Sequence, residues 1–448
     1  MAIKELTQGK PLKLILLFMI PIFLGNLFQL FYHFFDALIV GRFIGIDALA
    51  SVGACSALIF LVISFIFAST QGFSVVLAQK FGEGNIEMVK KSLACAIILS
   101  SIITFILTVI STPFSHALLK LLHTPSDIIQ MASDYLFIMF IGIFATVFYN
   151  LSSNTIRALG DSKTPLFFLI LSSFVNIVAD ILFIVVFHWG IKGVGWATVI
   201  SQGICTILCM SYMFIKFPIL RLRLNDFKIT SDFLFEHINI GIPMGIQMSV
   251  LSVGMLIIQF VLNGFGTIAI AAFTAAMRVD QIFAQCYLAL GATIATFTAQ
   301  NYGAKKLLRI KEGANIAIII AIIISAFSVL LLSLYSQNLI SLFMEEKNNE
   351  VIALGTQYLH IIMMFFVFFG ILIIFRNILQ GMGSAMIPLA SGIFELVTRG
   401  LSAIILGHYF NYIGVCFATP FAWVLGAIVL FIGYKIDLKK HYKKLKEG

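Results

Sequence analysis

Asp36 lies in "FFDALIV" and Asp180 in "NIVADILFI", each inside a long apolar run. A carboxylate in a membrane-spanning segment costs on the order of several kcal/mol, so it defaults to a cavity and a function. Asn176 precedes Asp180 by four residues and Tyr32 precedes Asp36 by four, so each acid shares a helix face with a polar neighbour. Counted from the nearest charged or polar boundary residues at about 1.5 Å per residue, Asp36, Asp180 and Thr198 fall roughly 9–12 Å below the outer surface. Tyr135 falls near the same depth. These positions predict one polar cluster of Tyr32, Asp36, Tyr135, Asn176, Asp180 and Thr198. Two adjacent carboxylates cannot both stay ionised without a counter-charge, so the pair takes up a proton or holds a cation. Na⁺ with oxygen ligands and a proton both suit it, and a fixed hydrogen-bonded network is the alternative without chemistry.

The composition sets the surroundings. The chain has 448 residues, of which 60% are hydrophobic and 11% charged, and its mean hydropathy is +1.05. Soluble domains are nearer half apolar and a quarter charged. Repeated apolar runs of this length read as membrane-spanning helices, and the short alternating strands of a β-barrel are not seen. The net charge of +9 sits at the ends of apolar segments, which gives no nucleic-acid signal. No cleavable leader is expected, because the first apolar run is too long and lacks a cleavage site. The six cysteines lie in apolar runs and support neither a disulfide framework nor a metal site. No catalytic cluster of His, Cys or Ser is visible, so no enzyme activity is expected. Channel function is disfavoured, because the two halves lack matching polar rings.

The predicted fold is an all-α polytopic membrane protein with twelve spans, at about 14–40, 48–79, 92–119, 128–156, 165–187, 193–215, 237–262, 268–300, 313–343, 351–375, 387–408 and 412–434. Twenty-three Lys and Arg fall on one side of these spans, and only Arg42, Lys120, Lys192 and Lys347 on the other. The positive-inside rule then places both termini in the cytoplasm. The longest polar connector divides the chain into an N-terminal six-helix bundle (1–218), a linker (219–236) and a C-terminal six-helix bundle with a basic tail (237–448). The halves repeat. "RALGDSKTP" aligns with "QGMGSAMIP", which matches Gly160 to Gly383 and Pro165 to Pro388, an offset of 223. "GVGWAT" aligns with "GVCFAT", and "AQKFG" with "AQNYG". Two six-span repeats insert with the same orientation, and substrate sites in such architectures lie between repeats.

The second half carries different charges. Asp36 maps onto Ile258 and Asp180 onto Ala403. In their place stand Arg278 and Asp280 in the eighth span, and Glu395 and Arg399 in the eleventh. The i, i+4 spacing predicts a Glu395–Arg399 pair, and mid-membrane depth allows Asp280 to pair with Arg399. This set reads as a neutral structural network. Gln29, Gln71, Asn150, Asn154 and Gln247 are candidate cavity groups, against the reading that each makes an interhelical hydrogen bond. Pro21, matched by Pro243 in the repeat, is a candidate bending point of the first helix. The Phe and Met content suits an adaptable cavity for cations.

These features together resemble the multidrug and toxic compound extrusion (MATE) transporters. The resemblance rests on the 6+6 repeat, "FFDALIVGRFIG", "AQKFGEGN", "IRALGDSKTP", "NIVADILFI" followed by "GVGWAT", and "AQNYGAKK". It implies a V-shaped pair of six-helix lobes and efflux of organic cations in exchange for H⁺ or Na⁺. It points to the branch named after the DNA-damage-inducible transporter, whose coupling residues fall on Asp36, Tyr32, Tyr135, Asn176, Asp180 and Thr198, with its bending proline on Pro21. The norfloxacin-efflux branch relies on acids in helices 7 and 10, which this chain lacks.

The expectation is an antiporter of small cationic, amphipathic substrates in the bacterial cytoplasmic membrane. It is expected to work as a monomer, with the bilayer but no nucleic acid as partner. No cofactor is expected beyond Na⁺ as a candidate ion at the cluster. The alternative is a lipid-linked oligosaccharide flippase of the same superfamily.

Overall fold

The computed structural model describes residues 5–343 and 348–447. Fifteen α-helices account for the described chain: α1 (Pro11–Phe43), α2 (Ile46–Gly82), α3 (Ile86–Ser111), α4 (Ser115–Leu121), α5 (Ser126–Ile141), α6 (Ile143–Ala158), α7 (Lys163–Ile181), α8 (Gly190–Lys216), α9 (Ser231–Leu262), α10 (Thr267–Gly303), α11 (Leu307–Ser341), α12 (Asn349–Met363), α13 (Phe366–Gly381), α14 (Met386–Cys416) and α15 (Ala418–Glu447). Among the described residues, ten helical segments are long and apolar enough to cross a membrane, and two bent helix pairs raise the number to twelve.

Local chemistry sets where these helices start and stop. Asn85 caps α3 by accepting the Met88 N–H at 3.1 Å. Asn348 caps α12 by accepting the Glu350 and Val351 N–H groups at 2.9 and 3.3 Å. Such caps satisfy amides that have no partner inside the helix. The repeated glycines Gly160 and Gly383 both close a helix with a left-handed backbone, at φ 90° and 88°. Only glycine adopts that conformation without a Cβ penalty, which explains why the two copies of the motif share it.

The structure refines several expected boundaries. The third span ends at Ser111, and after a break that contains Pro113 the short α4 follows. The fourth and tenth spans are bent pairs, α5 with α6 at 44° and α12 with α13 at 52°. The helix after Ile181 widens into a π-helical turn over Leu182–Val186. Spans eleven and twelve are parted by a reversal at Asn411, whose φ of 53° and ψ of −140° break the helix.

Contacts group the chain into two compact units. One is built on Leu24–Gly245; the other combines Leu6–Phe23 with the chain from Ile246 onward. The leading half of α1 thus belongs to the second unit and the leading part of α9 to the first, which a division at residues 218 and 237 does not capture. Both changes of unit fall within three residues of a proline, Pro21 and Pro243, and both helices continue through it.

In the first unit, the core gathers Ile66, Tyr135, Leu136, Val147 and Val194. The start of α9 joins it through His237, which is fully buried. Its Nε2 lies 2.8 Å from Ser92 Oγ, and its Nδ1 lies 2.9 Å from the Phe233 carbonyl. In the second unit, Leu6, Ile15, Phe18 and Ile22 are buried with Tyr287, Phe297, Phe366 and Trp423.

The second unit also corrects the expected charge network. Glu395 pairs with Arg376 of α13 at 2.6 Å, not with Arg399. Ser391 donates to the same carboxylate oxygen at 3.1 Å. Arg376 sits in the apolar run of α13, which continues to Gly381, so the side chain is inside the helix rather than at its end. Asp280 makes no ion pair either, and its Oδ1 is buried without a hydrogen-bond partner. Arg278 is exposed and lies over the Phe343 ring at 6.0 Å. Arg399 is buried, and its guanidinium Nη1 packs so closely on Gly254 that a Cβ there would stand 2.8 Å away. Glu395 thus faces Arg376 of a neighbouring helix, while Asp280 and Arg399 both lie near Tyr358, because a residue's place along one helix does not say which neighbouring helix it faces.

Removing one partner of a buried ion pair strands the other charge, at a cost of about 3–5 kcal/mol, whereas an apolar replacement of both is often neutral. Arg376→Met is expected to lower the thermal unfolding midpoint of the detergent-solubilised protein markedly. Arg376→Met combined with Glu395→Met is expected to recover most of that loss, as read by tryptophan fluorescence on heating.

Candidate functional site

Four helices of the first unit converge on the two aspartates. Asp36 lies in the second half of α1, with Tyr32 one turn before it. Tyr135 comes from α5, Asn176 and Asp180 from α7, and Thr198 from α8. The carboxyl groups of Asp36 and Asp180 are in hydrogen-bonding contact with each other. Each also keeps its Oδ1 buried without a donor. Asp180 is fully buried, and Asn176, Tyr135 and Thr198 are nearly so. Asp36 and Tyr32 are half-buried.

Asn176 fits the network when its amide nitrogen donates to Asp180 Oδ2 at 2.9 Å and its oxygen accepts from the Thr198 N–H at 3.2 Å. Asn176 therefore aligns the acid and ties α7 to α8. The Thr198 hydroxyl donates to the Val194 carbonyl in its own helix at 3.1 Å, so its oxygen remains able to accept. It does so from Tyr32, whose side chain hydrogen-bonds Thr198. Tyr135 stands beside both aspartates and beside Cys55, whose thiol donates to the Ala132 carbonyl at 3.2 Å.

Local sequence explains the placement. In "GVGWAT", Gly195 faces Ile138 of α5, and a Cβ there would stand 3.0 Å from the isoleucine Cγ2. The missing side chain lets α8 approach α5 and brings Thr198 to the cluster. The π-helical turn begins two residues after Asp180; such widened turns recur at functional sites. Phe183 within that turn stacks on Trp189 beyond it, with centroids 4.9 Å apart.

All six residues expected in the cluster thus meet in one place. Among the described residues, no Lys, Arg or His forms an ion pair with either aspartate. Two touching carboxyls without a cationic partner need a proton or a bound cation between them. Asp, Asn, Thr and Tyr present oxygen atoms, the ligand type of a hard cation. No group of three or more His, Cys, Asp or Glu that could hold a metal occurs among the described residues.

The candidate cavity amides separate into two groups. Asn154 donates to Thr70 Oγ1 at 3.3 Å and accepts from Arg157 at 3.4 Å. Gln247 donates to the Pro388 carbonyl at 2.7 Å and accepts from Gln380 at 2.9 Å. Asn150 donates to the Thr146 carbonyl of its own helix at 2.8 Å. These three are engaged in packing their helices. Gln29 is exposed and Gln71 half-buried.

The repeat offset sharpens the contrast between units. Tyr358 stands where Tyr135 does, Thr419 where Thr198 does, and Arg399 where Asn176 does. The second unit keeps the tyrosine and threonine, loses both acids, and gains a fixed cation. Sequence reasoning passed over Arg376, because the helix was expected to end at residue 375. The apolar run "GILIIFRNILQG" was the available signal.

Comparison with known proteins agrees with this architecture. The MatE family model matches residues 21–182 and 243–405, one match in each half. The probable multidrug resistance protein YpnP of Bacillus subtilis (strain 168) is 29% identical over 99% of both chains. The probable multidrug resistance protein YoeA of the same strain is 27% identical over 95% of this chain and 93% of its own. Among solved structures, an outward-facing multidrug resistance MATE family transporter of the MOP superfamily superposes with a TM-score of 0.92, at 24% identity over 98% of each chain. With both halves matched by the family model and its relatives aligned from end to end, the chain belongs to the MatE family of membrane transporters.

Proposed function

We propose that the protein is an ion-coupled antiporter that exports organic cations in exchange for H⁺ or Na⁺ through the Asp36/Asp180 cluster. The observation that carries this reading is the contact between two carboxyls, Asp180 buried and Asp36 half-buried, that form no ion pair with Lys, Arg or His among the described residues. Loading the pair with one H⁺ or Na⁺ leaves a single net negative charge shared by the two carboxyls; unloading leaves two like charges in a low-dielectric site, which favours a different arrangement of the helices that hold them. Asp36 sits on α1 beyond Pro21, so the state of the pair acts directly on a helix shared by both compact units.

The energy is adequate. One charge moved through about 100 mV supplies roughly 2.3 kcal/mol, and each pH unit adds about 1.4 kcal/mol. The Lys and Arg bias supports cytoplasmic termini. The multidrug resistance names of the relatives support an amphipathic drug-like substrate class. A lipid-linked oligosaccharide flippase is the less favoured reading, because those relatives bear multidrug names and because the buried arginine Arg376 is already paired to Glu395.

In proteoliposomes, a cationic dye is expected to be exported under an imposed pH gradient or an imposed Na⁺ gradient, each applied alone. Asp36→Asn and Asp180→Asn are each expected to abolish that export while the protein still elutes as a folded monodisperse species. Full export by both variants would reject the coupling role. Asn176→Ala is expected to keep export but to shift the ion dependence at least about tenfold, toward tighter uptake for H⁺ or weaker uptake for Na⁺, since one hydrogen bond to a charged group is worth roughly 1.5–3 kcal/mol. The ion concentration for half-maximal export reads this out.

A further inference from the structure

The motif "AQNYGAKK" at the turn between α10 and α11 carries a role that the ion cluster does not absorb. The turn holds the segment Leu6–Gly9 by its main chain. The Leu6 N–H donates to Gln300 Oε1 at 2.8 Å. The Leu6 carbonyl accepts from Asn301 Nδ2 and from Arg309 Nη2, both at 3.3 Å. Lys306 donates to the Thr7 carbonyl at 3.0 Å, and Arg309 to the Gly9 carbonyl at 2.7 Å. The Leu6 side chain is buried at 1% exposure.

This is how a receptor grips a peptide by its main chain. The segment is a turn ahead of α1, so its amide and carbonyls have no helical partners and must find others. Two side-chain amides, an ammonium and a guanidinium supply them, and one apolar side chain anchors the register. The copy of the motif in the first unit works differently. There Lys80 reaches side chains of α9 instead: Glu236 at 3.4 Å and the Phe233 ring at 6.0 Å.

We propose that the α10–α11 turn is a binding site for a peptide backbone whose ligand is the chain's own Leu6–Gly9 strap, released and re-engaged in each transport cycle. The proposal rests on the transport reading above. Three features favour exchange over a permanent bond. Lys306 is exposed and Arg309 half-buried, so water can replace the strap's carbonyls as acceptors. Leu6 is the one apolar side chain within the strap, buried beside Thr7, while Gln8 and Gly9 are exposed. The helix that follows carries Asp36 in its other half, so the loading of the pair and the seating of the strap are linked through one continuous element.

The test uses the full chain with its native cysteines replaced by alanine and spin labels at Lys10→Cys and Lys311→Cys, two exposed positions on either side of the contact. Distances are read by pulsed electron resonance at rest, with the cationic dye, and across a range of pH and Na⁺. The same preparation is assayed for dye export. One short distance at rest, and a second longer one that grows with dye or driving ion, is expected. Arg309→Gln combined with Lys306→Gln is expected to enrich the longer distance at rest. A single short distance under every condition in protein that exports dye would overturn the strap, as would an unchanged distribution in the double variant. Exchange between two distances without any dye export would sink the transport reading and leave the strap standing.

Discussion

Two carboxyl groups that touch inside an apolar helix bundle, with no ion pair to a basic side chain among the described residues, impose a condition on everything around them. In water the pair would be unremarked. In a site of low dielectric, like charges at contact are strongly unfavourable, and each acid also loses its hydration. The protein answers with Asn176, which donates to one acid, and with Tyr32, Tyr135 and Thr198, which surround the pair with polar atoms. None of these supplies a positive charge. Under the proposed function, a mobile cation, H⁺ or Na⁺, would complete the site.

The second unit shows what the same scaffold looks like when the requirement is removed. Ile258 and Ala403 stand where the acids would be, and Arg399 takes the place of Asn176. One turn earlier on that helix, Glu395 has its own arginine at 2.6 Å and a serine hydroxyl at 3.1 Å. Its counter-charge is built into the chain, so no exchangeable ion is called for. A duplicated fold thus carries a touching acid pair in one copy and, in the other, an acid, Glu395, with a built-in counter-charge beside a separate acid, Asp280, whose Oδ1 has no hydrogen-bond partner. Ion coupling through a single unit is consistent with that difference.

Much of this was legible in the sequence, for a physical reason. Acids are rare enough in apolar runs that Asp36 and Asp180 announced themselves, and depth counting placed Tyr135 and Thr198 beside them. The twelve spans followed from hydropathy. The bends near Gly142 and Phe365, the π-helical turn after Asp180 and the reversal at Asn411 did not, because they depend on packing against neighbours. Partners of charged groups were also illegible. Glu395 and Arg399 share the i, i+4 spacing of a pair, yet Glu395 faces Arg376 across a helix interface. The exchange of the leading halves of α1 and α9 between units was hidden too, since an apolar helix looks the same whichever core buries it.

The central claim is that substrate and driving ion are linked through the aspartate pair. It is tested most directly by adding a cationic dye to the detergent-solubilised protein in weakly buffered solution and measuring the ions released. Binding of the dye is predicted to release protons, or to weaken in proportion to added Na⁺, in the wild-type protein and in neither way after Asp36→Asn. Dye binding that releases no proton and is indifferent to both pH and Na⁺ would contradict the account.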